Sequence, residues 1–120
     1  MLPWLSMCVA AARIYGIEIL DGVYNDIGNV DGFAAECAQG VELGFDGKTL
    51  IHPSQIEPCN EAFSPTPAEV EHARKIIAAF DLPDNKGKGV VPIDGRMVER
   101  LHAEMARRTV AIAEAIARSA

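Results

Sequence analysis

The stretch Gly44–Phe63, G-F-D-G-K-T-L-I-H-P-S-Q-I-E-P-C-N-E-A-F, decides the fold. Its apolar run Lys48–Ile51 predicts a short β-strand, which His52-Pro53 ends because proline has no N–H for a strand ladder. The hydroxyl of Ser54 then predicts the cap of a helix that begins just after it. Helix, buried strand, polar loop and helix make one turn of a βα-repeated fold, in which ligands bind at the loop after the strand. His52 therefore lies where such a fold places its chemistry.

A second block of the same kind comes earlier in the chain. The run Ile17–Val23, I-E-I-L-D-G-V, predicts a strand that Asp21-Gly22 breaks, and Asp21 and Asp26 lie at its carboxyl end and in the loop after it. Carboxylates at a strand end can hold a hard cation or bond to a ligand. Asp-Gly and Asn-Asp are also ordinary turn residues, so both interpretations stay open for Asp21 and Asp26. His52 likewise is either a hydrogen-bond donor to a ligand or a histidine that ties its loop to the neighbouring strand.

The charge balance limits the partners of the chain. Its 120 residues carry 17 acidic and 11 basic side chains, a net charge of −6. This disfavours a nucleic-acid surface, because phosphate binding requires clustered cations. An anionic ligand would need local basic groups such as Lys48 and Arg13, although solvated positions are the favoured interpretation of both.

The cysteines and the apolar start bear on the compartment. Cys8, Cys37 and Cys59 are odd in number and far apart, which indicates a reducing, cytoplasmic location and neither disulfides nor a zinc site. The apolar segment Met1–Arg13 lacks a basic leader and is too short to cross a membrane. We therefore interpret it as a helix.

The C-terminal half carries the clearest local signals. Thr66 and Glu69 form a capping-box pattern with Pro67 at the first helical position. A linker rich in turn formers follows at Asp81–Lys88, and then a short predicted strand at Gly89–Ile93. Two apolar stripes at helical spacing predict the packing faces of the helices on either side of that linker. They are Val70, Ala73, Ile77 and Phe80, and Met97, Leu101, Met105, Thr109, Ile112 and Ile116.

Three blocks of the sequence, Gly16–Asp26, Gly44–Ile56 and Gly87–Arg108, resemble CoA-ester lyases of the HpcH/HpaI aldolase/citrate lyase β-chain family, which includes malyl-CoA lyase. The resemblance implies an α/β fold made of the last two βα units of a TIM (β/α)₈ barrel, residues 1–80, and a linker with a C-terminal helical lid, residues 81–120. A complete barrel needs about 250 residues, so the resemblance covers only the C-terminal portion of such an enzyme.

The resemblance also implies a function. Members of this family break or form a C–C bond beside a CoA thioester carbonyl, with Mg²⁺, in substrates of the malyl-CoA or citryl-CoA type. Asp21, Gly22, Asp26, His52 and Pro53 would contact the CoA ester. The Mg²⁺ ligands and an arginine belong to upstream strands, so no metal ligand is assigned here and the chain alone is expected to be inactive.

Glu99 matches the lid position at which these lyases commonly have an aspartate that acts as catalytic acid in the neighbouring subunit. The extra methylene of glutamate moves the carboxyl group by roughly 1.5 Å. The alternative for Glu99 is an exposed helix-start residue. The implied partners are a second copy of the chain or a complementary upstream chain. The alternative function is a non-catalytic subunit that assembles with or docks on another chain.

Overall fold

The computed structural model describes residues 1–119 and divides into two compact units. Unit 1 is Met1–Phe63, and unit 2 begins at Ser64. The predicted barrel–lid boundary at residue 80 lies inside unit 2. The elements of unit 1 are α1 (Leu2–Ile14), β1 (Leu20–Asp21), α2 (Val30–Leu43), β2 (Gly47–Lys48) and α3 (Ile56–Phe63). Those of unit 2 are α4 (Pro67–Asp81), β3 (Val90–Ile93), β4 (Arg96–Glu99) and α5 (Arg100–Ser119).

The sheet of unit 1 is a parallel pair in which Leu20 lies opposite Gly47. Both strands are shorter than predicted, because side chains take over the backbone groups at their ends. The Ile19 N–H donates to the Asp46 carboxylate at 2.8 Å, and the Gly22 carbonyl accepts from the Lys48 ammonium at 2.7 Å. Parallel pairing confirms the predicted βα repetition.

Helix α2 begins and ends at residues that favour helix termini. The side chain of Asn29 accepts the Gly32 N–H at 3.0 Å and so caps the first turn. Gly44 ends the helix with φ of 95°, a left-handed conformation that residues with a Cβ adopt at a cost. Phe33 and Cys37 of this helix are buried against α3.

The start of α3 differs from the prediction. A 3₁₀ turn at Pro53–Gln55 precedes the helix, and the His52 ring, not the Ser54 hydroxyl, caps that turn by accepting the Ser54 N–H. Pro58 does not interrupt α3, because it lies in the first helical turn, where its missing N–H has no intrahelical partner to lose.

Unit 2 packs α4 and the β3–β4 hairpin against α5. Both halves of the predicted capping box are present, since Thr66 Oγ1 accepts the Glu69 N–H and the Glu69 carboxylate accepts the Thr66 N–H, each at 3.1 Å. Ile76, which the predicted stripe omitted, is buried on α4. The buried core of the unit is made of Ala73, Ile76, Phe80, Val91, Val98, Ala103, Ala106 and Val110.

The C-terminal helix starts later than predicted and packs by another face. Arg96–Glu99 forms the second strand of an antiparallel hairpin, so the helix begins at Arg100. Its small residues face the core, whereas Leu101 and Met105 are each 59% exposed and Ile116 is 46% exposed. The predicted stripe is therefore an apolar surface of unit 2. No helix within residues 1–119 is long and apolar enough to cross a membrane.

Candidate active-site edge

The carboxyl ends of β1 and β2 meet at one edge of the parallel pair. Asp21 lies opposite Lys48 in the register, and the Thr49 N–H donates to the Asp21 carbonyl at 2.9 Å. The loop that contains Gly22 and Asp26 therefore leaves the sheet beside the loop that contains His52 and Pro53. These neighbouring strand ends and loops carry the five residues that the resemblance assigns to the CoA ester, at the edge where βα folds bind ligands.

Lys48 is buried beneath this edge, contrary to its interpretation as a solvated cation. Its side chain has no exposed surface, and its ammonium donates to the Glu36 carboxylate at 2.6 Å, the Gly22 carbonyl at 2.7 Å and the Asp21 carboxylate at 3.0 Å. Burial alone would lower the pKa of this ammonium, but the hydrogen bonds with Glu36 and Asp21 outweigh burial and raise the pKa. Lys48 thus holds α2, β1 and the following loop together as a cation.

Asp21 shapes the loop with both of its carboxylate oxygens. Oδ2 accepts from Lys48, and Oδ1 accepts the Gly22 N–H at 2.9 Å. The carboxylate is 15% exposed and faces the ammonium. This geometry favours the turn interpretation of Asp21, while Asp26 and Gly22 remain exposed on the loop.

Gln55 joins the two loops and was missed by the sequence analysis. It is 3% exposed, its Oε1 accepts the Ile51 N–H at 3.1 Å, and its Nε2 donates to the Tyr24 carbonyl at 3.1 Å. A buried amide with a partner at each end fixes the distance between two chain segments. The one sequence signal for this role was the position of Gln55, one residue after Ser54 in a loop that follows a strand.

His52 presents a hydrogen-bond donor at the surface of the edge. Its Nδ1 accepts the Ser54 N–H at 3.2 Å and lies 2.8 Å from the Ser54 hydroxyl. Since Nδ1 is the acceptor, the neutral ring carries its proton on Nε2. His52 therefore caps its own loop through Ser54 and does not tie that loop to the neighbouring strand with these bonds, and its exposed ring leaves Nε2 available to a ligand.

Arg13 is a structural cation. Its guanidinium forms two hydrogen bonds with the Asp46 carboxylate, at 2.8 and 3.1 Å, and a third with the Gly44 carbonyl at 2.6 Å. The two basic side chains of unit 1, Arg13 and Lys48, are thus both engaged in ion pairs.

Two thiols lie behind the same edge. Cys37 and Cys59 are buried in one cluster, and burial raises the pKa of both. The neighbouring Cys59 thiol adds to the rise at Cys37, whereas the charge of Lys48 lowers the pKa of both thiols and so opposes the effect of burial. They are packing residues, whereas Cys8 is exposed on α1.

The carboxylates of this edge do not fit Mg²⁺. Asp21 and Glu36 converge on the Lys48 ammonium, which occupies the position a cation would need. Among residues 1–119, no three His, Cys, Asp or Glu side chains are arranged to hold a metal ion.

Glu99 lies in unit 2, as the last residue of β4. Its side chain is exposed, and its backbone N–H donates to His102 Nδ1 at 3.1 Å. It is therefore a strand-end residue directly before α5.

Most of unit 1 matches the model of a known protein family. Residues 2–53 match the model of the HpcH/HpaI aldolase/citrate lyase family. This part of the chain belongs to that family. The parallel βα arrangement of unit 1 agrees with the assignment.

Relatives from this family align along nearly the whole chain. The (3S)-malyl-CoA thioesterase of Cereibacter sphaeroides is 54% identical over 117 residues, which are 98% of this chain and 41% of that protein. The citrate lyase subunit beta of Escherichia coli is 42% identical over 87% of this chain and 34% of its own length. The chain thus spans about two fifths or less of the curated relatives it matches.

Two solved structures resemble this chain. The protein CitE from Mycobacterium tuberculosis, in complex with magnesium, acetoacetate and coenzyme A, aligns with a TM-score of 0.65 and 32% identity over 89% of this chain and 40% of that chain. A citrate lyase from Burkholderia xenovorans LB400 aligns with a TM-score of 0.71 over 91% of this chain and 33% of its own, and at 24% identity it supports the fold alone.

Proposed function

We propose that this chain forms part of the site of an enzyme that acts on a CoA thioester of the malyl-CoA or citryl-CoA type. The observation that carries the proposal is the 54% identity to a (3S)-malyl-CoA thioesterase over 98% of the chain. In this proposal residues 1–80 are the last part of a TIM barrel, and residues 81–120 are a linker and its C-terminal lid. We place the enzyme in the cytoplasm, where its free thiols stay reduced.

The outward N–H of His52 is the group that we assign to the substrate. A neutral imidazole N–H can donate to the thioester carbonyl oxygen, where negative charge develops when that carbonyl becomes an enolate or is attacked. Pro53 and the exposed loop residues Gly22 and Asp26 would line the same side of the ligand. Asp21, with Lys48 beneath it, sets the position of that loop.

Glu99 is the proposed proton donor or acceptor, acting on the site of a neighbouring subunit. Its exposed carboxylate at the end of β4 supports this role, because a group that works across a boundary must be accessible on its own chain. The partner would be a second copy or a chain that supplies the rest of the barrel.

Mg²⁺ in this proposal is bound by carboxylates from outside the chain. It would polarise the carbonyl group of the substrate when bound. Unit 1 contributes the hydrogen-bond donor and the shape of the loops.

The family resemblance favours cleavage of the bond between the α- and β-carbons of the thioester, which would convert malyl-CoA into acetyl-CoA and glyoxylate. The name of the 54% identical relatives favours a second candidate, hydrolysis of the thioester to malate and free CoA. The products distinguish the two reactions directly.

The test uses a chimera in which residues 2–119 of this chain replace the aligned segment of the Cereibacter thioesterase. We expect Mg²⁺-dependent turnover of malyl-CoA by the chimera and none by the 120-residue chain alone, with products separated by chromatography. His52→Phe should reduce kcat of the chimera about 10-fold to 1,000-fold, the range for one lost oxyanion donor or less, whereas the exposed control His72→Phe should not.

Two results would refute the proposal. Full activity of the chain alone would show a complete site within it. A folded chimera without activity would favour the non-catalytic assembly role.

A further inference from the structure

At the junction between β4 and α5, a histidine side chain accepts a backbone N–H. The Glu99 backbone N–H donates to His102 Nδ1 at 3.1 Å. Glu99 directly precedes the first helical residue, and His102 is the third residue of α5. In a capping box a Glu or Gln at that third position accepts the same N–H. His102 replaces that carboxylate or amide with an imidazole.

We infer that His102 is a positioning residue for Glu99, and that it holds Glu99 only while its ring is neutral. The inference rests on the proposed role of Glu99. A neutral ring with its proton on Nε2 accepts at Nδ1, whereas a protonated ring carries N–H groups at both nitrogens and cannot accept. Protonation therefore releases the Glu99 N–H.

The residue after Glu99 is held by hydrogen bonds to the chain that leads into β3. The Arg100 N–H already donates to the Gly89 carbonyl at 2.9 Å, and the Arg100 guanidinium donates to the Lys88 carbonyl at 2.8 Å. Glu99 is thus fixed on its C-terminal side by the hairpin, and its own N–H is fixed by His102. Loss of the second bond frees the backbone that carries the proposed catalytic carboxylate.

Other titratable groups face the same ring. His102 lines a groove of about 280 Å³ between α4 and α5, together with Glu69 and His72 of α4 and the apolar Met105. The Glu69 carboxylate is engaged with the Thr66 N–H. His72 is the one other histidine of the groove lining, so it is the matched control for any histidine-dependent change.

The test measures the backbone amide of Glu99 in the 120-residue chain by NMR. At pH 8, His102→Leu should accelerate its exchange about fivefold relative to the intrinsic rate, the equivalent of one net hydrogen bond. His102→Gln should keep the wild-type protection within about twofold, because an amide oxygen replaces the imidazole nitrogen. His72→Gln should leave the amide unchanged.

The pH profile separates positioning by an imidazole from simple packing. As the pH falls from 8 to 5, the wild-type amide should lose its protection and shift, because a protonated ring cannot accept at Nδ1. The His102→Gln amide should not. A pH step that persists in His102→Gln, or an amide indifferent to His102→Leu, would overturn the inference.

The role of Glu99 is tested separately in the chimera with Glu99→Gln. If that variant keeps its kcat, the proposed function of Glu99 fails while the amide result on His102 stands. If the amide shows no response to His102 but Glu99→Gln is inactive, the inference fails and the proposed function stands.

Discussion

The ion cluster under the active-site edge gives the sharpest stability prediction. Lys48→Met keeps the length of the side chain but leaves the Asp21 and Glu36 carboxylates facing each other without a cation. Removing one partner of a buried pair typically costs about 3–5 kcal/mol. Because the Glu36 carboxylate is 35% exposed and can be rehydrated, we expect the lower end, about 3 kcal/mol.

That loss is large for a unit of this size. At roughly 0.05–0.15 kcal/mol per residue, a unit of about 60 residues has a stability of only about 3–9 kcal/mol. The variant should therefore lose much of the protection of unit 1 while unit 2 remains folded.

Hydrogen exchange read by NMR measures this effect in each unit. The Thr49 amide, which donates to the Asp21 carbonyl, should exchange about 100-fold faster or more in Lys48→Met. The control Lys75→Met removes an exposed ammonium 3.8 Å from Glu71 and should change exchange less than about threefold. A Thr49 rate that changes as little as in the control would refute the structural role of Lys48.

Three further predictions concern pH, catalysis and assembly. The raised pKa values of Lys48, Cys37 and Cys59 mean that the folded state holds these protons more tightly than the unfolded state does. Their contribution to the free energy of unfolding is therefore complete below about pH 8.5 and is lost as the pH rises through the pKa values of the folded state. Urea unfolding from pH 7 to 11 should show falling stability, and rising stability would contradict it. In the active chimera, Glu99→Gln should lower kcat with little change in KM, and an unchanged kcat would make Glu99 a structural residue. The chain should sediment as an oligomer at low micromolar concentration, and Met105→Glu should dissociate it; a monomeric wild type would contradict this.

The structural features that depend on neighbouring residues were predicted correctly from the sequence. The capping box of Thr66 and Glu69, with Pro67 at the first helical position, depends on residues within one helical turn of one another. A pattern of a few adjacent residues contains all the chemistry of such a feature.

The environment of Lys48 was not predictable in this way. Its partners lie 12 and 27 residues away, so burial of the ammonium depends on the packing of α2 against the strand edge. The one sequence signal for this burial was the position of Lys48 in an apolar predicted strand, just before the loop that was expected to bind a ligand.

The β3–β4 hairpin was missed although its signal was present. Asp94 and Gly95 both have positive φ, 49° and 79°, as in the type I′ turn that joins paired strands. Arg96–Glu99 contains good helix formers, and the apolar stripe through Met97 extended the helix pattern over the second strand. The tertiary contact of Val98 with Val91 in the core outweighs that propensity.

The distribution of charge constrains how the proposed substrate would bind. In unit 1 both basic side chains are engaged, one with Asp46 and one with Asp21 and Glu36, so the active-site edge has no cation to spare for phosphates. All remaining Lys and Arg residues of the chain belong to unit 2. If the proposed CoA ester presents its acyl end to His52, the two basic side chains of unit 1 are not available to its phosphates. Lys48 would then contribute to the proposed site through the shape of the loop above it, not as a partner of the phosphates.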